Sequence, residues 1–167
     1  MAGDPGRTHR LTLVPLATPT LRLTQTQYRT IVGHCYDAER DPATGLLYEA
    51  CGLLGGPVTG DEEPTGVVSV VYPCANSERS ARTYTVDSRD LIRAMRDAES
   101  RGEQLVGVFH SHTHTDAYPS ETDVRQAMEP GWIYVIVSLK DGDPVLRGYR
   151  IRDEQVAEVP VVVERGR

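Results

Sequence analysis

GVFHSHTHTDAYPSETD, residues 107–123, carries the strongest structural signal in the chain. Its beginning belongs to an apolar run, residues 105–109, that leads into histidines at alternate positions. Because side chains alternate between the two faces of a strand, His110 and His112 project from the same face and can lean toward one point. The stretch therefore predicts a strand that ends in two converging imidazoles.

Ser120 and Asp123 follow after seven intervening residues and are spaced as on the first turn of a helix. This Ser-x-x-Asp spacing fits a capping box, in which each side chain bonds the backbone N–H at the other position. The carboxylate of Asp123 can also join His110 and His112 around one cation. Two nitrogens, one oxygen and an open fourth position are typical of catalytic zinc. No rival cluster occurs in the sequence, so we favour the metal site and keep capping as the alternative.

His114 adds a third alternating histidine. It could replace Asp123 as a ligand if the strand continued straight, but three positions along one strand span too far for all to reach one ion. We therefore expect His114 near the cleft, either in contact with substrate or as a solvated loop residue.

Glu49 stands just before residues 51–56, an apolar run ending in glycines that predicts a short buried strand. A carboxylate at the end of such a strand is partly desolvated, which raises its pKa toward the range useful for acid–base catalysis. An ordinary solvated glutamate fits the position equally well. Cys51 is expected to fill the core, and a nucleophilic thiol paired with a histidine is the less favoured alternative.

Length and composition predict one globular domain, at residues 21–167. A net charge of −6 argues against nucleic acid as a partner, because phosphate binding needs a concentrated basic surface. Three irregularly spaced cysteines give no disulfide framework, which favours a reduced, cytoplasmic compartment. Residues 1–20 contain no apolar segment long enough for a signal peptide or a membrane span. We expect them to form a flexible lead-in, with residues 11–16 as a candidate edge strand.

Two long helices are predicted. The first follows a short strand at residues 21–23, begins at Thr24 or Thr26 and runs to about Glu39. The second begins after Asp87 or Ser88 and ends at Gly102. Its apolar stripe, expected to lie in the core, consists of Leu91, Ile92, Met95 and Ala98.

Strands predominate from Cys51 onward. The run at 132–139 is almost continuously apolar, as expected for a strand buried on both faces, and an Asp-Gly turn at 141–142 links it into a hairpin. We therefore predict an α/β fold: a mixed β-sheet flanked by helices on both sides. The other predicted strands are residues 51–56, 67–74, 83–86, 145–151 and 156–163.

Three parts of the sequence belong together: Glu49 with the Cys-Gly-Leu-Leu-Gly that begins at Cys51, His110-Ser-His112, and Ser120-x-x-Asp123. Together they resemble the complete motif of the JAMM (MPN+) metalloprotease family. The resemblance implies a cytidine-deaminase-like (JAMM/MPN) fold. It also implies one zinc ion held by His110, His112 and Asp123. Glu49 would then transfer the proton of the attacking water, and Ser120 would help to stabilise the tetrahedral intermediate.

HSHTHTDAYPSETDV and the NSERS segment at Asn76 resemble, more narrowly, the short bacterial Mec+ type of this family. JAMM proteins cut after the C-terminal Gly-Gly of ubiquitin-like proteins, and the Mec+ type frees cysteine from a small sulfur carrier of the ThiS, MoaD or CysO kind. The resemblance implies that activity, in cysteine biosynthesis, with an isopeptidase or a carrier-maturation protease as alternatives. A Gly-Gly tail can pair with an edge strand, for which we expect residues 51–56 or the strand near Tyr84. The resemblance also places Asn76 near the substrate channel.

Two other classes of protein are less compatible with the sequence. A nucleoside deaminase would need a Pro-Cys-x-x-Cys pair, which the sequence lacks. A non-catalytic MPN-type binding module would be expected to have lost a ligand or the glutamate, whereas this sequence retains all of them.

Overall fold

The computed structural model describes residues 19–165. The predicted lead-in at residues 1–20, including the candidate strand at 11–16, therefore lies outside the described residues except for Pro19 and Thr20. In chain order, the elements are β1 (Leu21–Thr24), α1 (Gln25–Tyr36), β2 (Cys51–Gly56), β3 (Val70–Cys74), α2 (Ser88–Ser100), β4 (Gln104–His112), α3 (Glu121–Gln126), β5 (Ile133–Ser138), β6 (Val145–Arg152), β7 (Gln155–Val159) and β8 (Val161–Glu164).

Six strands form the main sheet in the order β3-β2-β4-β5-β6-β7. The β4–β5 pair is parallel and the other neighbours are antiparallel, so the sheet is mixed. Ile31 and Cys35 of α1 pack into the core on one face, and Ala94 of α2 packs into the core on the other. All six residues of β5 are buried. The predicted mixed sheet with helices on both sides is confirmed.

The last predicted strand, at residues 156–163, is two strands separated by Pro160. Proline has no N–H to donate, so the ladder of the main sheet ends there. β7 continues the main sheet, whereas β8 turns away and pairs in parallel with β1. This pairing joins the two ends of the described chain, which supports the single domain that we propose for residues 21–167.

The two segments predicted as candidate sheet edges, residues 51–56 and the strand near Tyr84, do not form an edge of the sheet. β2 lies between β3 and β4, and the strand predicted at residues 83–86 is reduced to one bridge, between Asn76 and Val86. The edges of the six-stranded sheet are β3 and β7. The prediction of the edge was therefore wrong, because β2 pairs with β3 on one side and with β4 on the other.

The helix boundaries follow their caps. Thr24 forms a capping box with Gln27 at the start of α1, and Asp87 caps α2. The predicted stripe of α2 is wrong in part, because Ile92 and Met95 are 49% and 44% exposed while the buried residues are Ala94 and Ala98. Small side chains face the sheet, so the bulky ones lie at the rim of the contact. No helix in residues 19–165 has the length and apolar character needed to cross a membrane.

Gly107→Ala should destabilise the fold by about 2–3 kcal/mol. A Cβ at Gly107 would lie 2.4 Å from the backbone oxygen of Ile133, in the neighbouring strand β5, and a paired strand cannot move aside cheaply. Gly142→Ala is the matched control, because a Cβ there meets nothing within 4 Å. The check is the free energy of unfolding in denaturant, and equal effects of the two substitutions would contradict the account.

Candidate metal centre and active site

The end of β4 and the start of α3 bring His110, His112 and Asp123 together. The two Nε2 atoms are 3.1 Å apart, and the Asp123 oxygens lie 3.2 Å from Nε2 of His110 and 3.3 Å from Nε2 of His112. His110 and His112 are buried, and the Asp123 side chain is 10% exposed. Within residues 19–165, no other group of three ligand-type side chains converges in this way.

The spacing and chemistry of these three side chains fit a metal ion. A tetrahedral site with bonds of about 2.0–2.1 Å has ligand-to-ligand distances of about 3.3 Å, close to all three distances here. Burial lowers the pKa of His110, which favours the neutral imidazole that a metal requires. Burial acts in the same direction on His112, but its contacts with Asp123 and Asp116 outweigh burial and raise the pKa, so a metal would have to displace a proton there.

Neighbouring groups fix the orientation of both rings. The backbone oxygen of Asp116 lies 2.8 Å from Nδ1 of His112, so a proton on Nδ1 leaves the Nε2 lone pair directed at the cluster. Tyr84 stacks on His110 with ring centroids 4.3 Å apart and an interplanar angle of 21°. Neither partner was predicted. Tyr84 is 26 positions from His110, and a backbone carbonyl such as that of Asp116 has no sequence signal.

Asp123 serves as a capping residue and as a member of the cluster at the same time. A capping box links it to Ser120, whose N and Oγ both lie 2.7 Å from Oδ2 of Asp123. Burial alone would raise the pKa of Asp123, but the neighbouring imidazoles of His110 and His112 and the Ser120 hydroxyl outweigh it and hold the pKa well below its usual range. The sequence left capping and metal binding as alternatives, and the structure places Asp123 in the capping box and in the His-His-Asp cluster at once.

Glu49 is 5% exposed and lies two residues before the start of β2. Burial raises its pKa to about 7, against the opposing effect of His112 and with a smaller contribution from Asp123. The desolvated position that the sequence predicted for Glu49 is therefore present. A group with this pKa can both accept and return a proton near neutral pH.

Hydrogen bonds hold the backbone of Glu49 and its neighbour Ala50 in place. The Glu49 N–H donates to the oxygen of Ser80 at 2.8 Å, and Asn76 donates its side-chain N–H to the oxygen of Glu49 at 2.9 Å. The Ala50 N–H donates to Oγ of Ser111, also at 2.8 Å. Sequence reasoning placed Asn76 near a substrate channel but missed Ser111, whose signal was a polar residue facing the core between two histidines.

A cleft of about 500 Å³ opens over this arrangement, and Glu49, His112, His114 and Ser120 line it. His114 is exposed on the cleft wall and does not join the cluster, as expected from the reach of a single strand. Cys51 is fully buried, and burial raises the pKa of its thiol to about 12, so the thiol stays protonated. The structure therefore gives no support to a cysteine nucleophile.

Comparison with known proteins identifies the family. The family model described as prokaryotic homologs of the JAB domain matches residues 37–152. The CysO-cysteine peptidase of Mycobacterium tuberculosis is 45% identical over 119 residues, which cover 70% of this chain and 78% of that protein. The desampylase of Haloferax volcanii is 30% identical over 117 residues, with the same two shares covered.

Solved structures show the same fold. A solution structure of a protein from Desulfitobacterium hafniense has a TM-score of 0.74 and 32% identity, and the match covers 88% of this chain and 94% of that one. A JAB1/MPN domain protein from Archaeoglobus fulgidus has a TM-score of 0.50 at 19% identity, with 86% and 98% covered, and supports the fold alone. The resemblance to JAMM/MPN+ proteins is confirmed, and the chain belongs to the family of prokaryotic homologues of the JAB domain.

Proposed function

We propose that this protein is a zinc-dependent peptidase that hydrolyses the amide bond after the C-terminal Gly-Gly of a small ubiquitin-like sulfur carrier and releases cysteine. The observation that carries the proposal is the convergence of His110, His112 and Asp123 beside a cleft that His112 and the buried Glu49 line. The names of the relatives, CysO-cysteine peptidase and desampylase, support a substrate of the ubiquitin-like carrier class.

His110, His112 and Asp123 are the residues that would hold the zinc ion. Zinc, when bound, lowers the pKa of a water molecule from 15.7 to about 7 and polarises a carbonyl oxygen. Glu49 accepts the proton of the attacking water and later donates it to the departing amine. Its burial keeps its pKa near 7, so the side chain exchanges protons in both directions at neutral pH.

Ser120 has a hydroxyl at the mouth of the cleft and contributes to stabilising the oxyanion in this proposal. In the structure, that hydroxyl lies 2.7 Å from Asp123 Oδ2. A hydroxyl has one proton to donate, so it must turn from Asp123 to serve the substrate. The backbone N–H of Ser120 also donates to Oδ2 of Asp123, at 2.7 Å, and this bond keeps the carboxylate in place when the hydroxyl turns away.

Ser120→Ala should lower kcat by about 100-fold or more, as the loss of a single oxyanion donor does in other enzymes. It should also cost about 1 kcal/mol of stability, because the helix cap is lost. Thr24→Ala is the matched control, because it removes the same kind of capping box from α1. Steady-state kinetics and denaturant unfolding separate the two effects. A similar kcat for both variants would contradict the role of Ser120.

Cleavage of two carrier substrates tests the reaction itself. One carrier ends in Gly-Gly-Cys, and the other is joined through Gly-Gly to a lysine side chain. We expect the first to be cut faster. Faster cleavage of the lysine-linked carrier would favour the alternative of a tag-removing isopeptidase, which the similarity to the desampylase supports. A metal-loaded protein that cuts neither would favour the alternative of a non-catalytic binding module.

A further inference from the structure

Arg82 lines the same cleft as Glu49, His112 and Ser120. Its side chain is exposed, and among residues 19–165 no carboxylate lies within 4.0 Å of its guanidinium. Arg79, three positions earlier, instead pairs with Glu39 at 2.9 Å. Arg82 therefore presents an uncommitted cation to the cleft.

The backbone that carries Arg82 is tied to Glu49 on both sides. The backbone oxygen of Ser80 accepts a hydrogen bond from the N–H of Glu49. The side-chain amide of Asn76 donates to the backbone oxygens of Glu49 and Thr83, at 2.9 Å and 3.0 Å. Arg82 lies between these two attachment points, and its own N–H donates to Oγ of Ser80 at 3.1 Å. The backbone of Arg82 is therefore held next to the segment that carries the proposed base, and its side chain lines the same cleft.

An amino acid released from a carrier keeps a free α-carboxylate. A carboxylate that leaves bulk water for a cleft needs a positively charged partner, because its charged form is otherwise poorly solvated there. Guanidinium groups bind carboxylates through two parallel N–H donors, and bonds of this kind are stronger than neutral ones. Beside Arg82, Ala81 and the 39%-exposed Leu46 also line the cleft and offer apolar surface to a small side chain.

We propose that Arg82 binds the α-carboxylate of the departing amino acid. The site then prefers a carrier whose last residue is a single amino acid with a free carboxylate and a small side chain. A lysine within a folded protein has no free α-carboxylate next to the bond that is cut. A carrier joined to such a lysine therefore gains no binding energy from Arg82. This inference rests on the proposed peptidase function and specifies the class of group that leaves.

Two substrates that differ in one group provide the test. Both are carriers ending in Gly-Gly-Cys, one with a free terminal carboxylate and one with a terminal carboxamide. The wild-type protein should prefer the carboxylate by about 10- to 100-fold in kcat/KM, the range typical of a hydrogen bond to a charged group. Arg82→Gln should lower kcat/KM for the carboxylate by that factor and leave the carboxamide within about twofold. Arg82→Lys should retain part of the preference, because it keeps the charge but loses the paired donors.

Arg89→Gln is the control, because it makes the same change of charge at an exposed position of α2 and should preserve the preference. A wild-type protein that cuts both substrates equally would overturn the inference while leaving the peptidase intact. Equal losses on both substrates in Arg82→Gln would overturn it as well, because Arg82 would then contact the carrier itself. Cleavage of neither substrate by the metal-loaded wild type would reject the peptidase function and this inference together.

Discussion

Glu49→Gln should retain its metal and lose at least about 100-fold of its turnover on a carrier ending in Gly-Gly-Cys. A glutamine amide has nearly the shape of a carboxylate but cannot accept the proton of water at neutral pH. Glu49 is also not part of the His-His-Asp cluster, so the ligands stay in place. Elemental analysis gives the metal content, and steady-state kinetics gives kcat.

Glu99→Gln serves as the control for this substitution, because Glu99 is exposed on α2. It should match the wild type in both measurements. A Glu49→Gln protein with full metal content and full activity would reject Glu49 as the base. Loss of metal from that variant would instead make Glu49 a ligand, contrary to the geometry of the cluster.

His112→Ala should lose both the metal and the activity. The substitution removes one of three ligand side chains and also breaks the contact of the ring with the oxygen of Asp116. His110 and Asp123 alone leave two ligands, too few for a catalytic zinc site. Elemental analysis after gel filtration should find metal well below one equivalent, and cleavage should fall below detection.

His114→Ala is a demanding control, because His114 lies two positions farther along the sequence and lines the same cleft. Its exposed side chain stands outside the cluster, so this variant should keep its metal. If His114→Ala lost the metal while Asp123→Ala kept it, the third ligand would be His114, the alternative that the sequence first raised.

The cluster was predictable because its members are set by short-range spacing. The His-x-His pair follows from the two-residue repeat of a strand, and Ser-x-x-Asp follows from the first turn of a helix. The sequence did not predict the groups that contact the site but are distant from it in sequence. Tyr84 against His110 and Asn76 against Glu49 depend on how separate segments pack, and no local pattern specifies that.

The difference between local patterns and long-range packing also explains which parts of the fold prediction were right and which were wrong. The two-sided burial of β5 was visible as a continuous apolar run, and the caps at Thr24 and Asp87 were visible as single residues. The course of β8 after Pro160 was not, because a proline shows where a ladder stops but not where the chain pairs next. The edge predicted at residues 51–56 was wrong because a fully apolar run is buried on both faces, and such burial is typical of an interior strand like β2.

Metal-dependent release of cysteine can be measured by mass spectrometry of a carrier ending in Gly-Gly-Cys, incubated with the purified protein with and without a zinc chelator. We expect the carrier to lose the mass of one cysteine residue and to end in Gly-Gly, and we expect the chelator to prevent this loss. Cleavage that persists after complete removal of metal would contradict the assignment of His110, His112 and Asp123 as the catalytic metal site. An unchanged carrier, after incubation with protein that holds one zinc ion per chain, would contradict the proposed substrate.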